Sequence, residues 1–316
     1  MNVLILLAFP EDIADKYRAR LQAAFPDVAV NLAQHHSKVG PYIEDADVLI
    51  TFGAHMADHV LEKGVRLRWI QALGTGVDGI ADRAALRQGV IVTNLHGLQG
   101  PAVSESILAS MLALARNLRR SLANQVNANW QRFPVTLLKN KTVGILGVGA
   151  IAEELAPKCN ALGMRVVGIS SVERPVANFA RIWAREQLEE AVGDLDYLVL
   201  LTPYTTATHG IVNRRILAAM KPTSFLINVA RGGVVDEAAL VAALQERTIA
   251  GAALDVFSEE PLPKGHPLWS LDNVLLTPHT AGFHVGYADE ALPIVEENLR
   301  RFLAGDLDNL INIVRR

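Results

Sequence analysis

The sequence has very little cysteine, and this limits its chemistry. Its 316 residues include a single cysteine, Cys159, so a disulfide within the chain is excluded and a reducing compartment fits best. Basic residues are not in excess either: 30 Lys and Arg stand against 33 Asp and Glu, for a net charge of −3. Proteins that neutralise phosphates need a basic surplus, so this balance argues against nucleic acid as the main partner.

Long hydrophobic runs are also missing. No apolar stretch approaches the ~20 residues that span a membrane. Residues 1–10 read MNVLILLAFP and lack the flanking basic residue and small-residue cleavage site of a secretory signal, so we expect a buried strand and a protein of the cytoplasm. Hydrophobic residues make up 50% of the chain and charged residues 20%, which excludes a disordered protein and, at this length, predicts two domains.

Short apolar runs alternate with segments of helical spacing along most of the chain. Helices are predicted at 11–25, 55–63, 82–88, 102–129 and 287–303. Strands are predicted at 3–9, 47–52, 69–73 and 90–94, and then at 142–146, 165–169, 197–202, 224–230, 251–256 and 273–277. Continuous apolar strands separated by helices indicate parallel sheets covered on both faces. The expected fold is therefore α/β, with two doubly wound parallel-sheet domains.

A glycine-rich turn joins one of these strands to a helix. Residues 142–152 read TVGILGVGAIA, a G-x-G-x-x-A pattern in the strand–turn–helix context of a dinucleotide site. Gly147 permits a tight turn, Gly149 lets the backbone approach a pyrophosphate, and Ala152 allows close helix–strand packing. The helix-start amides that would face the anion are those of Ala150 and Ile151. The alternative is an ordinary tight turn, which this context disfavours.

The next strand bears on which dinucleotide binds. NAD sites usually carry an acidic residue at its end, about 20 positions after the glycines. Here Ser170 and Ser171 stand at that end, and Arg174 is close by. Hydroxyls and a guanidinium suit a 2′-phosphate, so we predict that NADP is preferred to NAD. NAD stays possible, because Glu173 could bind the ribose hydroxyls from a shifted loop.

Three residues that can carry chemistry, Arg231, Glu260 and His279, each come just after a predicted strand. Ligands bind at the carboxyl ends of strands in open α/β sheets, so the three can converge on one cleft. An arginine can hold a carboxylate, a histidine can exchange a proton, and a neighbouring glutamate favours the imidazolium form. The set suits reduction of a 2-keto acid, although each residue taken singly could be an ordinary surface or structural residue.

The whole chain resembles the D-isomer-specific 2-hydroxyacid dehydrogenases. The motifs that carry the resemblance, in the family's order and spacing, are ALGTGVDGI at 72–80, TVGILGVGAIA at 142–152, NVARGGVVDEAALVAAL at 228–244, AALDVFSEEPLP at 252–263 and NVLLTPHTAG at 273–282. The resemblance assigns Arg231 to substrate binding and carbonyl polarisation, His279 to the acid/base step, and Glu260 to the partner of His279. It also implies that Asp255 lies near the nicotinamide carboxamide.

The same resemblance implies a domain division and a homodimer. A Rossmann cofactor domain at 100–286 would be inserted into a flavodoxin-like substrate domain at 1–99 plus 287–316, and residues 102–134 would form a dimerisation arm. Substrate would lie between the lobes, with its carboxylate on the amides of Thr75 and Gly76. Phe52 and Gly53 should line its pocket. Further cofactor contacts are expected at Thr202, Pro203, Val229, Ala230, Ala281 and Gly282.

We therefore expect an oxidoreductase that reduces a small 2-keto acid, such as glyoxylate or hydroxypyruvate, to a D-2-hydroxy acid with NADPH. Two alternatives stay open. One is an NAD-linked dehydrogenase of a larger D-2-hydroxy acid of the phosphoglycerate type, although the first lobe shows no basic cluster for a phosphate and the extra carboxyl-terminal domains usual for that type are missing. The other is a dinucleotide-sensing binding protein on the same fold. No metal site is expected, and Cys159 is interpreted as a buried small hydrophobe.

Overall fold

The computed structural model describes residues 1–8, 10–52, 56–81 and 83–314. They form two compact units, one made of Met1–Gln99 with His284–Arg316 and the other of Gly100–Phe283. The second boundary therefore falls before residue 284, not before the predicted residue 287. The reason is local: the His284 carbonyl accepts the Tyr287 amide at 3.0 Å and the two rings pack edge to face, so this turn belongs with the helix that follows.

Strands and helices alternate along both units. The first segment contains β1 (Asn2–Leu6), α1 (Glu11–Ala24), β2 (Ala29–Ala33), α2 (Gly40–Ile43), β3 (Val48–Thr51), α3 (Asp58–Lys63), β4 (Trp69–Ala72) and β5 (Ile91–Thr93). The second unit contains α4 (Gly100–Ala115), α5 (Leu118–Val126), β6 (Thr142–Leu146), α6 (Ala150–Ala161), β7 (Arg165–Ser170), β8 (Arg181–Ala184), α7 (Leu188–Val192), β9 (Tyr197–Leu200), α8 (Arg214–Ala219), β10 (Phe225–Asn228), α9 (Glu237–Gln245), β11 (Gly251–Leu254) and β12 (Val274–Leu276). The chain returns to the first unit with α10 (Tyr287–Leu303) and β13 (Ile313–Val314).

The sheet of the first unit has the strand order β13-β5-β4-β3-β1-β2. Strands β1 to β5 run parallel in the order of a flavodoxin-like fold, and β13 adds an antiparallel edge beside β5. The sequence prediction missed β2, which is only partly buried, and β13, which has two residues. The helix predicted at 82–88 was wrong, since residues 83–88 form turns. The apolar residues of this segment are adjacent in the sequence, whereas the buried face of a helix needs them three or four positions apart.

The core of the first unit includes a layer in which α1 and α10 pack together. Tyr17 and Leu21 of α1 are buried in the same cluster as Val295 and Leu299 of α10. Apolar residues recur along α10 at helical spacing, which gives it one buried face. Each such buried side chain contributes roughly 1.5–3 kcal/mol. This layer therefore holds the carboxyl-terminal segment on the first unit.

The sheet of the second unit has the order β12-β11-β10-β9-β6-β7-β8, with every neighbouring pair parallel. Each strand predicted between 142 and 277 is present, and β8 is an additional edge strand. Counted from β6, this is the 3-2-1-4-5-6 order of a dinucleotide-binding fold with one further strand, β12. The order reverses between β6 and β9, and ligands bind such sheets at that point.

The single helix predicted over 102–129 is in fact two helices, α4 and α5. The chain breaks at Asn117, which has a φ of 51° and so cannot continue a right-handed helix. Helix α4 buries Val103, Ile107 and Met111, whereas no residue of α5 is buried. Within the described ranges, none of the helices combines the length and the hydrophobicity needed to cross a membrane.

Candidate active site

Three neighbouring strands of the second unit lead to the predicted catalytic residues. Arg231 follows β10, Glu260 follows β11, and His279 follows β12. These strands are parallel and adjacent, with Asn228 paired to Leu254 and Leu254 to Leu276. Their carboxyl ends therefore lie at the same edge of the sheet, and that edge carries all three side chains.

The structure brings Glu260 and His279 into direct contact. Nδ1 of His279 lies 2.7 Å from Oε2 of Glu260, and the other carboxylate oxygen, Oε1, accepts the Phe257 amide at 3.0 Å. The glutamate is 15% exposed and the histidine 38% exposed. The carboxylate fixes the proton of the imidazole on Nδ1, so Nε2 is the nitrogen left to meet another molecule. This arrangement can exchange a proton at Nε2 while the ring is held in place.

A buried aspartate holds the loop that carries His279. The carboxylate of Asp255 accepts hydrogen bonds from the Thr277 hydroxyl and from the amides of Thr280 and Ala281, the last two at 2.9 Å. The Asp255 carbonyl accepts the His279 amide at 2.8 Å. His279 has a φ of 53°, an uncommon value for a residue with a side chain, which these bonds maintain. In this fold Asp255 therefore positions the histidine loop, a role the sequence reasoning did not give it.

Arg231 stands at the start of a short 3-10 helix, Gly232–Val234, and is half-buried. Its Nη1 donates to the Ala230 carbonyl at 2.7 Å, and the Asn228 side chain donates to the Arg231 carbonyl at 3.0 Å. A Cβ at Gly232 would lie 2.0 Å from the carbonyl carbon of Phe257. Only glycine fits there, so the backbone next to Arg231 touches the loop that leads to Glu260.

The glycine turn after β6 fits a bound dinucleotide. Gly147 has a φ of 102°, and a Cβ there would lie 2.5 Å from the Thr202 nitrogen, so the turn requires glycine. Around Gly149 an added Cβ would meet nothing within 4 Å, which leaves the backbone open to a ligand. Gly149 gives α6 no side-chain cap, and its carbonyl accepts the Glu153 amide at 2.9 Å. The earlier amides of Ala150 and Ile151 precede that first helical bond and can bind a phosphate.

The loop after β7 holds the residues predicted to choose the dinucleotide. Ser170 is half-buried and its hydroxyl accepts the Val172 amide at 3.3 Å, while Ser171 is exposed. Arg174 lies 3.4 Å from Glu153 of α6, and both side chains are about half exposed. The two line a cavity of about 330 Å³ with residues 175–178. The guanidinium expected to bind a 2′-phosphate therefore has a carboxylate beside it.

The remaining predicted cofactor residues lie near the same edge of the second sheet. Thr202 is buried and Pro203 exposed after β9, and the Pro203 carbonyl accepts the Thr208 hydroxyl at 2.6 Å. Val229 and Ala230 follow β10, and Ala281 and Gly282 end the histidine loop. Backbone groups near strand ends line the ligand crevice in this type of sheet.

The predicted substrate residues of the first unit, Phe52, Thr75 and Gly76, are all half-buried, and Gly53 lies outside the described residues. Thr75 follows β4; its hydroxyl donates to Gln99 at 3.1 Å, and its carbonyl accepts the Asn94 side chain at 2.7 Å. The ring of Phe52 lies 6.2 Å from that of Tyr287. The loop after β4 is thus held by its own unit.

Tyr287 supports this loop, and the sequence analysis gave it no role beyond the start of the helix predicted at 287–303. Its hydroxyl donates to the Leu73 carbonyl. Burial raises the pKa of Tyr287 far above its usual range, so the hydroxyl stays a donor. The sequence signal was a tyrosine at a buried position of a helix, where the hydroxyl needs a partner.

Among the described residues, no group of three or more His, Cys, Asp or Glu side chains is arranged to hold a metal ion. Cys159 is buried on α6, and burial raises the pKa of its thiol to about 12. A thiol that stays protonated is a poor nucleophile.

Comparison with known proteins points to one family. Residues 108–281 match the family described as D-isomer specific 2-hydroxyacid dehydrogenase, NAD binding domain. A D-3-phosphoglycerate dehydrogenase of Methanocaldococcus jannaschii is 37% identical over 276 residues, which cover 86% of this chain and 52% of that protein. This chain thus spans about half the length of that relative. A glyoxylate reductase of Thermococcus gammatolerans is 31% identical over 316 residues, covering 92% of this chain and 94% of that one.

Solved structures share the fold over nearly the whole chain. A D-lactate dehydrogenase from Aquifex aeolicus, complexed with NAD and lactic acid, has a TM-score of 0.87 and 27% identity and covers 99% of both chains. A D-isomer specific 2-hydroxyacid dehydrogenase from Xanthobacter autotrophicus, in complex with NADPH and MES, has a TM-score of 0.81 and 31% identity, covering 99% of this chain and 98% of that one. The chain therefore belongs to the D-isomer specific 2-hydroxyacid dehydrogenases, which are NAD(P)-dependent oxidoreductases acting on small hydroxy and keto acids.

Proposed function

We propose that this enzyme reduces a small 2-keto acid, of the glyoxylate or hydroxypyruvate type, to the D-2-hydroxy acid. The observation that carries the proposal is the 2.7 Å contact between His279 and Glu260. It supports a histidine that is held in one orientation, with Nε2 directed away from its carboxylate partner. Such a group can give a proton to a carbonyl oxygen in reduction and take it back in oxidation.

The proposed step transfers one hydride and one proton to the substrate. The hydride that reaches the carbonyl carbon would come from a reduced dinucleotide bound at the glycine turn, which would be left oxidised. His279 donates its Nε2 proton to the carbonyl oxygen, so the alcohol forms and a neutral imidazole remains. Glu260 stabilises the cationic ring before the transfer, and the Arg231 guanidinium polarises the carbonyl and binds the carboxylate.

The substrate carboxylate is proposed to bind the amides of Thr75 and Gly76. Neither amide donates a hydrogen bond to another residue in the described part of the chain. The loop is also anchored next to these amides, by Asn94 at the Thr75 carbonyl and by Tyr287 at the Leu73 carbonyl. Two adjacent amides on an anchored loop suit a small anion.

We also propose a preference for NADP over NAD. Ser170 stands where a carboxylate would bind the ribose of NAD, and Arg174 is four residues further on. The Xanthobacter relative was solved with NADPH, which supports this choice, and the Aquifex relative was solved with NAD. Glu153 beside Arg174 opposes the preference, because its carboxylate would repel a phosphate.

We further propose that the protein forms a homodimer through α5. Leu118, Leu122 and Val126 recur every four residues on α5 and are 47%, 60% and 86% exposed, and Trp130 is 91% exposed. Such an apolar stripe marks a protein interface. Light scattering of the wild-type protein should give twice the chain mass. Leu122→Glu should give monomers. Leu162→Glu changes an exposed leucine outside α5 and should leave the dimer intact. A wild-type monomer would contradict this part.

Initial rates test the activity. Glyoxylate and hydroxypyruvate are each offered with NADPH and with NADH, and loss of the reduced nicotinamide is followed. His279→Asn should lower kcat by roughly a hundredfold or more while dinucleotide affinity is kept. His35→Asn, an exposed histidine of the first unit, is the matched control and should leave kcat unchanged. Full turnover by His279→Asn would overturn the acid/base assignment.

One other substrate class enters the assay because of a specific observation. The Methanocaldococcus relative, named for D-3-phosphoglycerate, is 37% identical to this chain. Oxidation of D-3-phosphoglycerate with NAD is therefore measured beside the keto acids. A higher kcat/KM for that substrate would replace our proposal with an NAD-linked dehydrogenase of a larger D-2-hydroxy acid. A lack of turnover with every pair would favour a dinucleotide-sensing protein.

A further inference from the structure

One short stretch of backbone, the dipeptide Phe257–Ser258, is held on three sides. The Phe257 amide donates to Oε1 of Glu260 at 3.0 Å, and the Ser258 amide donates to Oε2 of Glu237 at 3.1 Å. On the third side it touches Gly232, where a Cβ would lie 2.0 Å from the Phe257 carbonyl carbon. The peptide therefore connects the backbone beside Arg231 with the carboxylate that orients His279.

Glu237 is the less expected of these contacts, because it belongs to another element. It is the first residue of α9, and Asp236 caps that helix by accepting the Ala239 amide at 3.0 Å. The cap leaves the Glu237 side chain available for the loop. Only 21% of that side chain is exposed, although Ser258, which donates to it, lies at the surface.

A histidine contacts the second carboxylate oxygen of Glu237. Nε2 of His266 lies 3.4 Å from Oε1 of Glu237, and Nδ1 of the same ring accepts the Leu268 amide at 3.3 Å. Because Nδ1 accepts, the proton of the neutral ring is on Nε2, which faces the glutamate. Both carboxylate oxygens are thus engaged, and the rotamer of Glu237 is restricted.

We propose that Glu237 is a positioning residue for the reaction: it fixes the Phe257–Ser258 dipeptide and, through that backbone, the Glu260 carboxylate that holds His279. The inference rests on the acid/base role proposed for His279. Without the Glu237 contact the peptide can shift, Oε1 of Glu260 loses its fixed donor, and the imidazole can rotate away from the carbonyl oxygen. A displacement of about 1 Å at a reacting group is enough to lower a rate by roughly a hundredfold.

The test is a double-mutant cycle on the full chain, with glyoxylate and NADPH. Glu237→Met keeps the length and helix propensity of the side chain but removes the acceptor. It should lower kcat roughly tenfold in the wild-type enzyme and less than about twofold in the Glu260→Gln background, because it acts through Glu260. KM for glyoxylate and the Kd of NADPH should change by less than about twofold. Glu237→Gln, which keeps an oxygen for Ser258, should restore most of kcat.

Glu246→Met, an exposed glutamate just after α9, is the matched control and should leave kcat unchanged. If Glu237→Met does not fold, Glu237→Ala takes its place in the cycle. An unchanged kcat in Glu237→Met, or an equal loss with and without Glu260→Gln, would overturn the inference. His279→Asn is measured in parallel to separate this inference from the proposed function. If His279→Asn stays fully active, the proposed function fails. If His279→Asn is inactive but the effects of the Glu237 and Glu260 substitutions are additive, only this inference is overturned.

Discussion

Replacing Asp255 with asparagine should loosen the loop that carries His279. The substitution keeps the side-chain shape, and an amide oxygen at Oδ1 can still accept from Thr277 and Thr280. The amide nitrogen would then face the Ala281 amide, which now donates to Oδ2 at 2.9 Å and is buried. One charge-assisted hydrogen bond is lost and one buried N–H has no acceptor. A hydrogen bond to a charged group contributes about 1.5–3 kcal/mol and an unsatisfied buried N–H costs about 1–3 kcal/mol, so we expect a loss of about 3 kcal/mol.

A thermal melt without dinucleotide measures this effect. A loss of about 3 kcal/mol should lower Tm by ~6–12 °C for a unit of this size. Asp236→Asn is the matched control, because Asp236 is an exposed helix cap and asparagine caps equally well. Its Tm should change by less than about 2 °C. Of the two variants, only Asp255→Asn should also lower kcat. Equal Tm values for the two variants would refute the reasoning that the Asp255 carboxylate holds the loop.

Three further predictions concern the glycine turn, the thiol and the cofactor loop. Gly147→Ala places a Cβ 2.5 Å from backbone at a φ of 102°, so it should destabilise the protein by about 3 kcal/mol. Gly149→Ala has open space for its Cβ, so it should keep Tm but weaken NADPH binding. A larger loss of stability in Gly149→Ala than in Gly147→Ala would contradict the geometry. Because burial raises the pKa of the Cys159 thiol from 9.0 to about 12, the unfolded chain ionises first, so the free energy of unfolding should fall as pH rises from 9 toward 12. At pH 8 a thiol reagent should label native Cys159 roughly a hundredfold more slowly than the denatured chain, and equal rates would show a reachable thiol. Glu153→Gln removes the carboxylate beside Arg174 and should lower KM for NADPH a few-fold without changing that for NADH; a parallel change in both would mean that Arg174 does not meet the 2′-phosphate.

The strands that the sequence predicted best are those buried on both faces. Strands such as β3 and β9 are fully buried, so their residues read as nearly continuous apolar runs. The edge strands β8 and β13 lack this signal: β8 begins with an exposed Arg181, and β13 has two residues that pair with β5 from more than 200 positions away. The break at Asn117 was also invisible, because the residues on both sides of it have good helix propensity.

Within the candidate site, some residues could be predicted from local sequence pattern, and others depend on tertiary contacts. The strand–turn–helix context identified Gly147 and Gly149, because their role depends on backbone conformation within one turn. The order of residues after β10, β11 and β12 pointed to Arg231, Glu260 and His279. Glu237 and His266 carried no such signal, because their contacts form only when α9 and the loop after β11 come together.

The sequence by itself determined the class of fold, the glycine turn and the strand ends that bear the chemistry, since these follow from hydrophobic periodicity and from residues near one another in the chain. Only the tertiary structure decided which groups hold the site in place. Glu260 meets His279 across 19 positions, Asp255 reaches Ala281 across 26, and Glu237 reaches Ser258 across 21. A hydrogen bond between distant residues depends on the packing of the elements that carry them, and no local pattern records that packing.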